Sequence, residues 1–263
     1  MNIKKTLLQT AVSLLVAFSL TTAFAQDVNT ATDSTPALDK QQVKQVQQII
    51  HDYLLTNPEI LIAAGEELQK KQAEQQQQGA IAAISANKEQ LFNDPNSPVI
   101  GNTKGNLILV EFYDYQCGHC KSMSSTIQST LKENTNVKLI LKELPIFGGS
   151  SKYAAEASLA IYKIAPNKFS QFHEQLLDVE GALNEEKILE VATSLGVKAS
   201  VLQKQMEASS TEDELKNNFT LAGKIGIQGT PSFVIANGDL TKFAFIPGAT
   251  SKEQLMAQFK SVE

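Results

Sequence analysis

The spacing of apolar residues changes several times along the chain, and the first 25 residues have a pattern of their own. Residues 7–20 are an almost unbroken apolar run that follows two lysines and leads to small residues at 23 and 25. A basic start, a short apolar run and small residues before a cleavage point are typical of a secretory signal peptide. The run is also shorter than the roughly 20 residues that span a bilayer. We therefore predict a signal peptide over 1–25 that is removed on export, with an uncleaved membrane anchor as the alternative.

Residues 26–36 are small and polar, which predicts a disordered linker. In the following region, 37–94, apolar residues recur at steps of three or four, the spacing of amphipathic helices. A break at 56–59 divides the pattern, because Asn57 can cap a helix and Pro58 suits the first position of the next one. Two helices are expected, with apolar residues at Val43, Val46, Ile50 and Tyr53 in the first and at Ile60, Leu61, Ala64 and Leu68 in the second.

The region over 37–94 has too few large apolar residues for a core of its own, and a stretch of mostly Gln, Lys and Glu over 70–78 separates its apolar seams. Seams of this kind need a partner surface. We predict a helical arm that covers them by self-association. The alternative is that the arm folds back onto the globular domain of its own chain.

From residue 95 onward the pattern is that of a compact α/β domain. A strand, a helix and a second strand follow one another, which predicts a parallel pair joined by a right-handed crossover. A helical insertion over about 151–225 comes next, followed by a hairpin whose turn contains Asn237-Gly238. The expected strands are 107–110, 137–141, 233–235 and 243–245, and the helices that flank the insertion and the hairpin are 122–133 and 251–259.

Composition narrows the range of partners. The 263 residues carry a formal charge of −5, and the sequence contains no arginine and no basic cluster. A mildly acidic chain of this kind gives no reason to expect nucleic acid as a partner. Without arginine, the chain also lacks the side chain that binds phosphates and carboxylates in a bidentate manner.

The candidate chemistry centres on two cysteines three positions apart, Cys117 and Cys120. Structural disulfides join distant segments, whereas a pair that encloses two residues closes almost no loop and adds little stability. The pair follows a predicted strand and starts a helix, where unpaired backbone N–H groups favour thiolate over thiol. His119 would add positive charge when protonated. We therefore predict Cys117 as an exposed nucleophile in disulfide exchange and Cys120, one turn later, as a buried resolving thiol.

Two cysteines and His119 could instead bind zinc or copper. A structural zinc site takes four protein ligands, and the other histidines, His51 and His173, lie in predicted helices without ligand spacing. We expect both of them to be ordinary residues of a helix surface. No metal and no cofactor are therefore predicted, with a soft-metal site at the thiols as the alternative.

Two further segments extend the candidate site. Glu111 lies near the end of the first strand, where a carboxylate among apolar residues is costly unless it has a function, and its expected role is to move the proton of Cys120. Alternation along a strand does not settle which way Glu111 faces, so a solvated glutamate is the alternative. Thr230 and Pro231 precede a predicted strand, a place that suits a cis proline and a turn that presents its backbone to an extended substrate.

In these residues the chain resembles the DsbA-like branch of the thioredoxin superfamily. The resemblance covers about 98–263 and rests on Glu-Phe-Tyr-Asp-Tyr-Gln-Cys-Gly-His-Cys-Lys at 111–121, on Gly-Thr-Pro-Ser-Phe at 229–233 and on the helical insertion between them. It implies an α/β, thioredoxin-like fold with that insertion. The site residues that it implies are a nucleophilic Cys117, a resolving Cys120, Glu111 as the buried acid, and Thr230 and cis Pro231 as a substrate-binding turn, to which we add Gly118.

Three departures refine the expected activity. Gly118-His119 is the dipeptide of protein disulfide isomerase, where the DsbA oxidase has Pro-His. Thr230 before the proline resembles disulfide isomerases of the DsbC type, where DsbA has Val. The arm, notably at 54–61, is similar to the N-terminal arms of oligomeric, copper-sensitivity-type DsbA-like proteins. The resemblance thus implies a homo-oligomer, with a dimer favoured, that isomerises disulfides as well as forming them.

We therefore predict a periplasmic thiol-disulfide oxidoreductase that acts on unfolded or misoxidised exported proteins and exchanges electrons with a membrane redox partner. Two other classes stay open: a copper-handling or chaperone-like thiol-binding protein, and a surface structural protein in which the arm carries the function. The expected parts are the signal peptide (1–25), the linker (26–36), the helical arm (37–94) and the DsbA-like domain (95–263).

Overall fold

The computed structural model describes residues 38–263, so the predicted signal peptide and linker lie outside the described residues. The chain divides into two compact units between Leu61 and Ile62. Helix α1 (Lys40–Thr56) and the start of helix α2 (Glu59–Ala86) belong to the first unit. None of the helices within the described range combines enough length and apolar character to cross a membrane.

Helix α1 begins where the sequence provides a cap for it. The Asp39 side chain accepts hydrogen bonds from the backbone of Gln41 and Gln42, and the Gln42 side chain accepts one from the Asp39 backbone, a capping box. The helix ends before Asn57, as predicted. No residue of α1 is buried, and the apolar residues that face solvent in this unit include Val43, Val46, Ile49, Ile50, Tyr53, Leu55 and Leu61.

The second unit begins inside α2, whose last turns and the short helix α3 (Lys88–Phe92) contribute to a core. Ala80, Ile84, Leu91 and Phe92 are each at most 2% exposed. Gln77 Nε2 also donates a hydrogen bond of 3.2 Å to the Phe245 carbonyl. The segment expected to be an arm therefore packs on the globular domain from Gln77 onward. For this part, the alternative that the arm folds back onto its own chain is correct. For the residues before it, self-association stays a prediction.

A five-stranded sheet in the order β1-β3-β2-β4-β5 forms the centre of the second unit. Strands β2 and β3 are parallel and joined by helix α4 (Gly118–Glu133), and β4 and β5 form an antiparallel hairpin, as predicted. Strand β1 pairs antiparallel with β3 at the edge and was not predicted, because three residues are too few to display a period. The strands are β1 (Val99–Gly101), β2 (Leu107–Tyr113), β3 (Val137–Glu143), β4 (Ser232–Asn237) and β5 (Phe243–Ile246).

The predicted helical insertion lies between β3 and β4. Gly226 ends it with a φ of 84°, a left-handed conformation that glycine adopts without strain. After the hairpin, Ser251 caps the terminal helix α10 (Lys252–Val262). The helices of the insertion are α5 (Gly149–Ile164), α6 (Phe169–Asp178), α7 (Glu185–Ser194), α8 (Ala199–Met206) and α9 (Ser209–Ile225), with a single 3₁₀ turn at Pro166–Lys168.

All seven residues of β2 are buried, so both faces of the sheet are covered. Successive side chains alternate between two cores. Leu107, Leu109 and Tyr113 belong to the core that contains residues of α4, α5, α6 and α10, which we call the front core. The residues between them, Ile108, Val110 and Phe112, belong to the core shared with α3, α9 and the end of α2, which we call the back core.

A buried cation anchors the segment that follows α3. Lys142 of β3 is 1% exposed, and its Nζ lies 2.9 Å from Asp94 Oδ2 and 3.7 Å from Glu214 Oε1 of α9. Ser97 Oγ lies within 3.3 Å of both acids. Removing one partner from such a group would leave the others charged and buried, so this cluster holds the chain between α3 and β1 against the sheet.

Candidate functional site

The turn between β2 and α4 carries the two cysteines. Asp114, which is 1% exposed, organises it: Oδ1 accepts hydrogen bonds from the Gln116 backbone at 2.8 Å and from Ser151 Oγ at 2.7 Å. The Asp114 carbonyl accepts a bond from the Cys117 N–H. Cys117 then occupies the N-cap position of α4, as predicted, and Cys120 lies in the first turn of that helix. Both are free thiols.

The expectation that Cys117 is exposed was wrong. Its residue is only 4% exposed, compared with 1% for Cys120. The reason is the segment before β4: the Cys117 thiol donates a hydrogen bond of 3.2 Å to the Thr230 carbonyl, so this turn covers the sulfur. The Gly118 and His119 residues of the same turn are exposed, and the helix start thus exposes the dipeptide between the cysteines rather than the thiols.

The Thr230–Pro231 peptide bond is cis, as the sequence suggested. Ser232 Oγ donates a hydrogen bond of 2.8 Å to the Gly229 carbonyl and closes the turn. The Thr230 hydroxyl is buried and has no hydrogen-bond partner within the described residues. The structure therefore brings Thr230, Pro231 and the dithiol together at one end of the sheet.

Glu111 faces the front core, behind the dithiol. The alternation of β2 places it with Leu109 and Tyr113, and its residue is 2% exposed, so the solvated alternative is wrong. Burial raises the pKa of the Glu111 carboxyl from about 4.5 to about 8, because the charged form loses its hydration. A carboxyl with a pKa near neutrality can both take up and release a proton.

Cys120 is the group that Glu111 affects. Burial is the largest of the causes that raise the pKa of the Cys120 thiol, and the negative charge of Glu111 is the second largest. The thiolate of Cys120 is therefore scarce, and its formation requires a nearby acceptor for the proton.

We expected His173 to be an ordinary residue of a helix surface, and this expectation was wrong. It lies on α6 but is 6% exposed, and its Nδ1 is 3.0 Å from the Tyr115 hydroxyl. Burial lowers the pKa of His173 to about 3, so the ring is neutral. Periodicity alone could have placed His173 inside, because it directly follows Phe172 and precedes Leu176 and Leu177 on the buried side of α6. His51 is exposed, as expected.

Residues 38–263 contain no group of three or more His, Cys, Asp or Glu side chains placed to hold one metal ion. A further buried carboxyl, Glu143, was not expected; it lies at the end of β3, directly opposite Tyr113 in the parallel pairing. The signal was available, because Glu143 lies just beyond the strand expected at 137–141, as Glu111 lies just beyond the strand expected at 107–110.

Two known protein families match parts of this amino-acid sequence. Residues 108–260 match the family described as "DSBA-like thioredoxin domain", and residues 42–75 match the one described as "Copper resistance protein ScsC N-terminal domain". Disulfide bond formation protein D of Bacillus subtilis (strain 168) is 26% identical over 157 residues, which cover 56% of this chain and 71% of that protein.

Solved structures extend the similarity to α1 and α2. ScsC of Proteus mirabilis in a transitional conformation is 34% identical, with a TM-score of 0.61, and the match covers 86% of this chain and 96% of that one. BcfH of Salmonella enterica Typhimurium is 29% identical, with a TM-score of 0.73, and the match covers 84% of this chain and 96% of that one. The predicted thioredoxin-like fold with a helical insertion and a helical N-terminal region is confirmed.

Replacing Glu111 by Gln should change how stability depends on pH. The folded state holds a proton on Glu111 up to a pKa of about 8, whereas the unfolded state releases it near 4.5. Stability should therefore fall as pH rises between these values and stay low above them. In reduced Glu111→Gln this pH-dependent loss of stability, up to about 5 kcal/mol, should disappear. Urea unfolding across this pH range measures it.

Exposed Glu180 provides the control, since Glu180→Gln should leave the slope of the wild type unchanged. A Glu111→Gln protein that loses stability with pH as steeply as the wild type would show that Glu111 does not titrate as described.

Proposed function

The chain belongs to the family of proteins with a DSBA-like thioredoxin domain, and we propose that it is a thiol-disulfide oxidoreductase that forms and isomerises disulfides in exported proteins. The observation that carries this proposal is the dithiol at the start of α4 with a buried carboxyl behind it. Cys117 and Cys120 supply the exchangeable bond, and Glu111 supplies and accepts the proton that the buried sulfur needs.

In the oxidising direction, a client thiolate attacks Sγ of Cys117 in the Cys117–Cys120 disulfide. The bond between the two cysteines breaks, its electron pair goes to the Cys120 sulfur, and Glu111 gives that sulfur a proton. A second client thiolate then attacks the mixed disulfide, and Cys117 leaves as a thiolate. The client gains one disulfide, and the reduced protein returns to the start by passing two electrons to a membrane redox partner.

The turn at Thr230 and Pro231 is the proposed binding place for the client backbone. The Thr230 carbonyl already accepts a hydrogen bond from the nucleophilic sulfur, so a client held by this turn would lie next to Cys117. Gly118 is exposed and has open space where a Cβ would be, which leaves room for a client chain on the other side of the sulfur.

Isomerisation is the finer part of the proposal. It rests on the Gly118-His119 dipeptide and on Thr230, both of which resemble isomerases more than the DsbA oxidase. In this direction the Cys117 thiolate attacks a wrong disulfide, and Cys120 releases the client when rearrangement is slow. The predicted signal peptide supports a periplasmic location, where unfolded and misoxidised exported proteins are the clients.

Self-association through α1 and the exposed part of α2 is the proposed role of the N-terminal helices. Ile49, Leu55 and Ile62 are each at least 66% exposed, and monomeric proteins rarely leave many large apolar side chains in water close together in the sequence. A specific interface needs on the order of 1,000 Å² of buried surface. Two such helices in each subunit of a dimer can supply it, and two dithiols would then act on one client.

The roles of the two cysteines predict different failures. Cys117→Ala should abolish both oxidation and isomerisation of scrambled ribonuclease, because no sulfur remains for the client to attack. Cys120→Ala should retain the attack but not the release, and should accumulate mixed disulfides that non-reducing gels detect. Ser125→Ala, at an exposed position of α4, is the control and should act as the wild type. Equal accumulation of adducts in both cysteine variants would contradict the assignment.

Charges in place of exposed apolar residues of α1 should separate the subunits. Ile49→Lys with Tyr53→Lys should yield a monomer that keeps a reactive dithiol and loses most isomerase activity, because a monomer holds a misfolded client less well. The matched control is Gln45→Lys with Gln47→Lys, which adds the same charge to polar positions of the same helix. Light scattering and ribonuclease refolding measure both effects. A charged variant that still self-associates would disprove the proposed role of the helices.

Copper handling is a second candidate, favoured by the match of 42–75 to a domain named after a copper resistance protein. Thiolates are soft ligands that suit Cu(I), and Cys117 and Cys120 would be the ligands. A titration of the reduced protein with Cu(I) should then show one ion bound per chain or per dimer, lost in Cys117→Ser. Binding that is equal in Cys117→Ser and the wild type would remove this candidate.

A further inference from the structure

Five polar side chains lie together inside the front core, next to the dithiol, and the exchange reaction described above uses none of them. Tyr113, Tyr115, Glu143 and Ser158 are each at most 1% exposed, and His173 is 6% exposed. They come from β2, the turn after it, β3, α5 and α6. Buried polar groups are costly unless they are hydrogen-bonded, so their partners are informative.

The five side chains form one connected chain of hydrogen bonds. Glu143 Oε1 is bonded to the Tyr113 hydroxyl. The Tyr113 and Tyr115 hydroxyl oxygens are 3.1 Å apart, and Tyr115 is bonded in turn to Ser158 Oγ at 2.9 Å and to His173 Nδ1 at 3.0 Å. The rings of Tyr113 and His173 also pack edge to face, with 4.9 Å between their centroids.

The available protons allow donation along this chain to run from Glu143 to His173. Burial keeps Glu143 protonated by raising its pKa well above the ordinary value, and it keeps His173 neutral. Each hydroxyl has one proton to donate. If Glu143 donates to Tyr113, then Tyr113 donates to Tyr115, Tyr115 donates to Nδ1 of His173, and Ser158 donates to the free lone pair of Tyr115. The proton of the neutral imidazole is then on Nε2.

A small cavity connects the end of this chain to Glu111. Its volume is about 20 Å³, and His173, Glu111, Ser124, Gln128 and Glu174 are the polar residues in its lining. A cavity needs about 10–15 Å³ and two to four polar partners to hold one water molecule. A water here could accept from Nε2 of His173 and donate to the Glu111 carboxylate.

We propose that Glu143, Tyr113, Tyr115 and His173 are positioning residues that fix the imidazole as a donor toward Glu111, through one water, whenever Glu111 is ionised. This inference rests on the proposed function, because it concerns the step in which Cys120 resolves a mixed disulfide. In that step the Cys120 proton passes to the Glu111 carboxylate, the Cys120 sulfur forms a bond with Cys117, and the client leaves as a thiolate that takes a proton from water.

Several other titratable groups lie near Glu111. They are Cys120 of α4, Glu174 of α6, Glu143 of β3 and Tyr115 in the turn after β2. None of these neighbours is a cation. The ionised Glu111 carboxylate therefore lacks a favourable partner, which an N–H of the His173 ring would provide.

The experiment measures the resolution step directly. Reduced protein is mixed with oxidised glutathione to form the adduct at Cys117, and the release of glutathione by Cys120 is followed by stopped flow as a function of pH. Tyr115→Phe should raise the pH midpoint of this step by about one unit, since a hydrogen bond to an ionised group is lost. Glu143→Leu should shift it in the same way.

Glu143→Gln should leave the midpoint unchanged, because its amide N–H₂ donates to Tyr113 as the protonated carboxyl does. Tyr153→Phe is the matched control, since the buried Tyr153 hydroxyl has no partner among the described residues. An unshifted midpoint in Tyr115→Phe, or a Glu143→Gln shift as large as that of Glu143→Leu, would overturn the proposal. Failure of the wild type to form the glutathione adduct would instead overturn the proposed function.

Discussion

At the carboxyl end of β2, ionisable side chains are held away from water, and the loss of their hydration controls what each of them can do. Burial raises the pKa of Glu111 to about 8 and is also the main reason why the pKa of Cys120 is raised. The two groups compete for one proton in a place that stabilises neither charge. The surrounding elements keep water away from these groups. Helices α4 and α6 pack in the front core, and the turn at Thr230 covers the Cys117 sulfur.

The amino-acid sequence predicts most of the architecture because the local signals agree with the fold. The helical insertion and the hairpin were expected, and Gly226 ends the insertion where a left-handed residue is needed. The position of the dithiol at a helix start also follows from the sequence. These features depend on periodicity and turn chemistry, which are properties of short segments.

What the sequence did not reveal depends on tertiary contacts. Strand β2 is buried on both faces, so its apolar run gives no alternation from which to read the direction of Glu111. The enclosure of Cys117 comes from a turn more than a hundred positions away in the sequence. The change of environment within α2 has no local signal either, since the helix continues from Glu59 to Ala86 while its residues pass from exposed to buried.

The alternation of β2 has a consequence for folding. A shift of one residue in the pairing of β2 with β3 or β4 would exchange its two faces. Glu111 would then enter the back core among Ile140 and Val234, and Phe112 would take its place beside Cys120. Such a misaligned sheet would bury the carboxyl as the native sheet does, but on the face away from the dithiol. The register of β2 therefore decides whether the proposed acid lies on the same side of the sheet as the buried thiol.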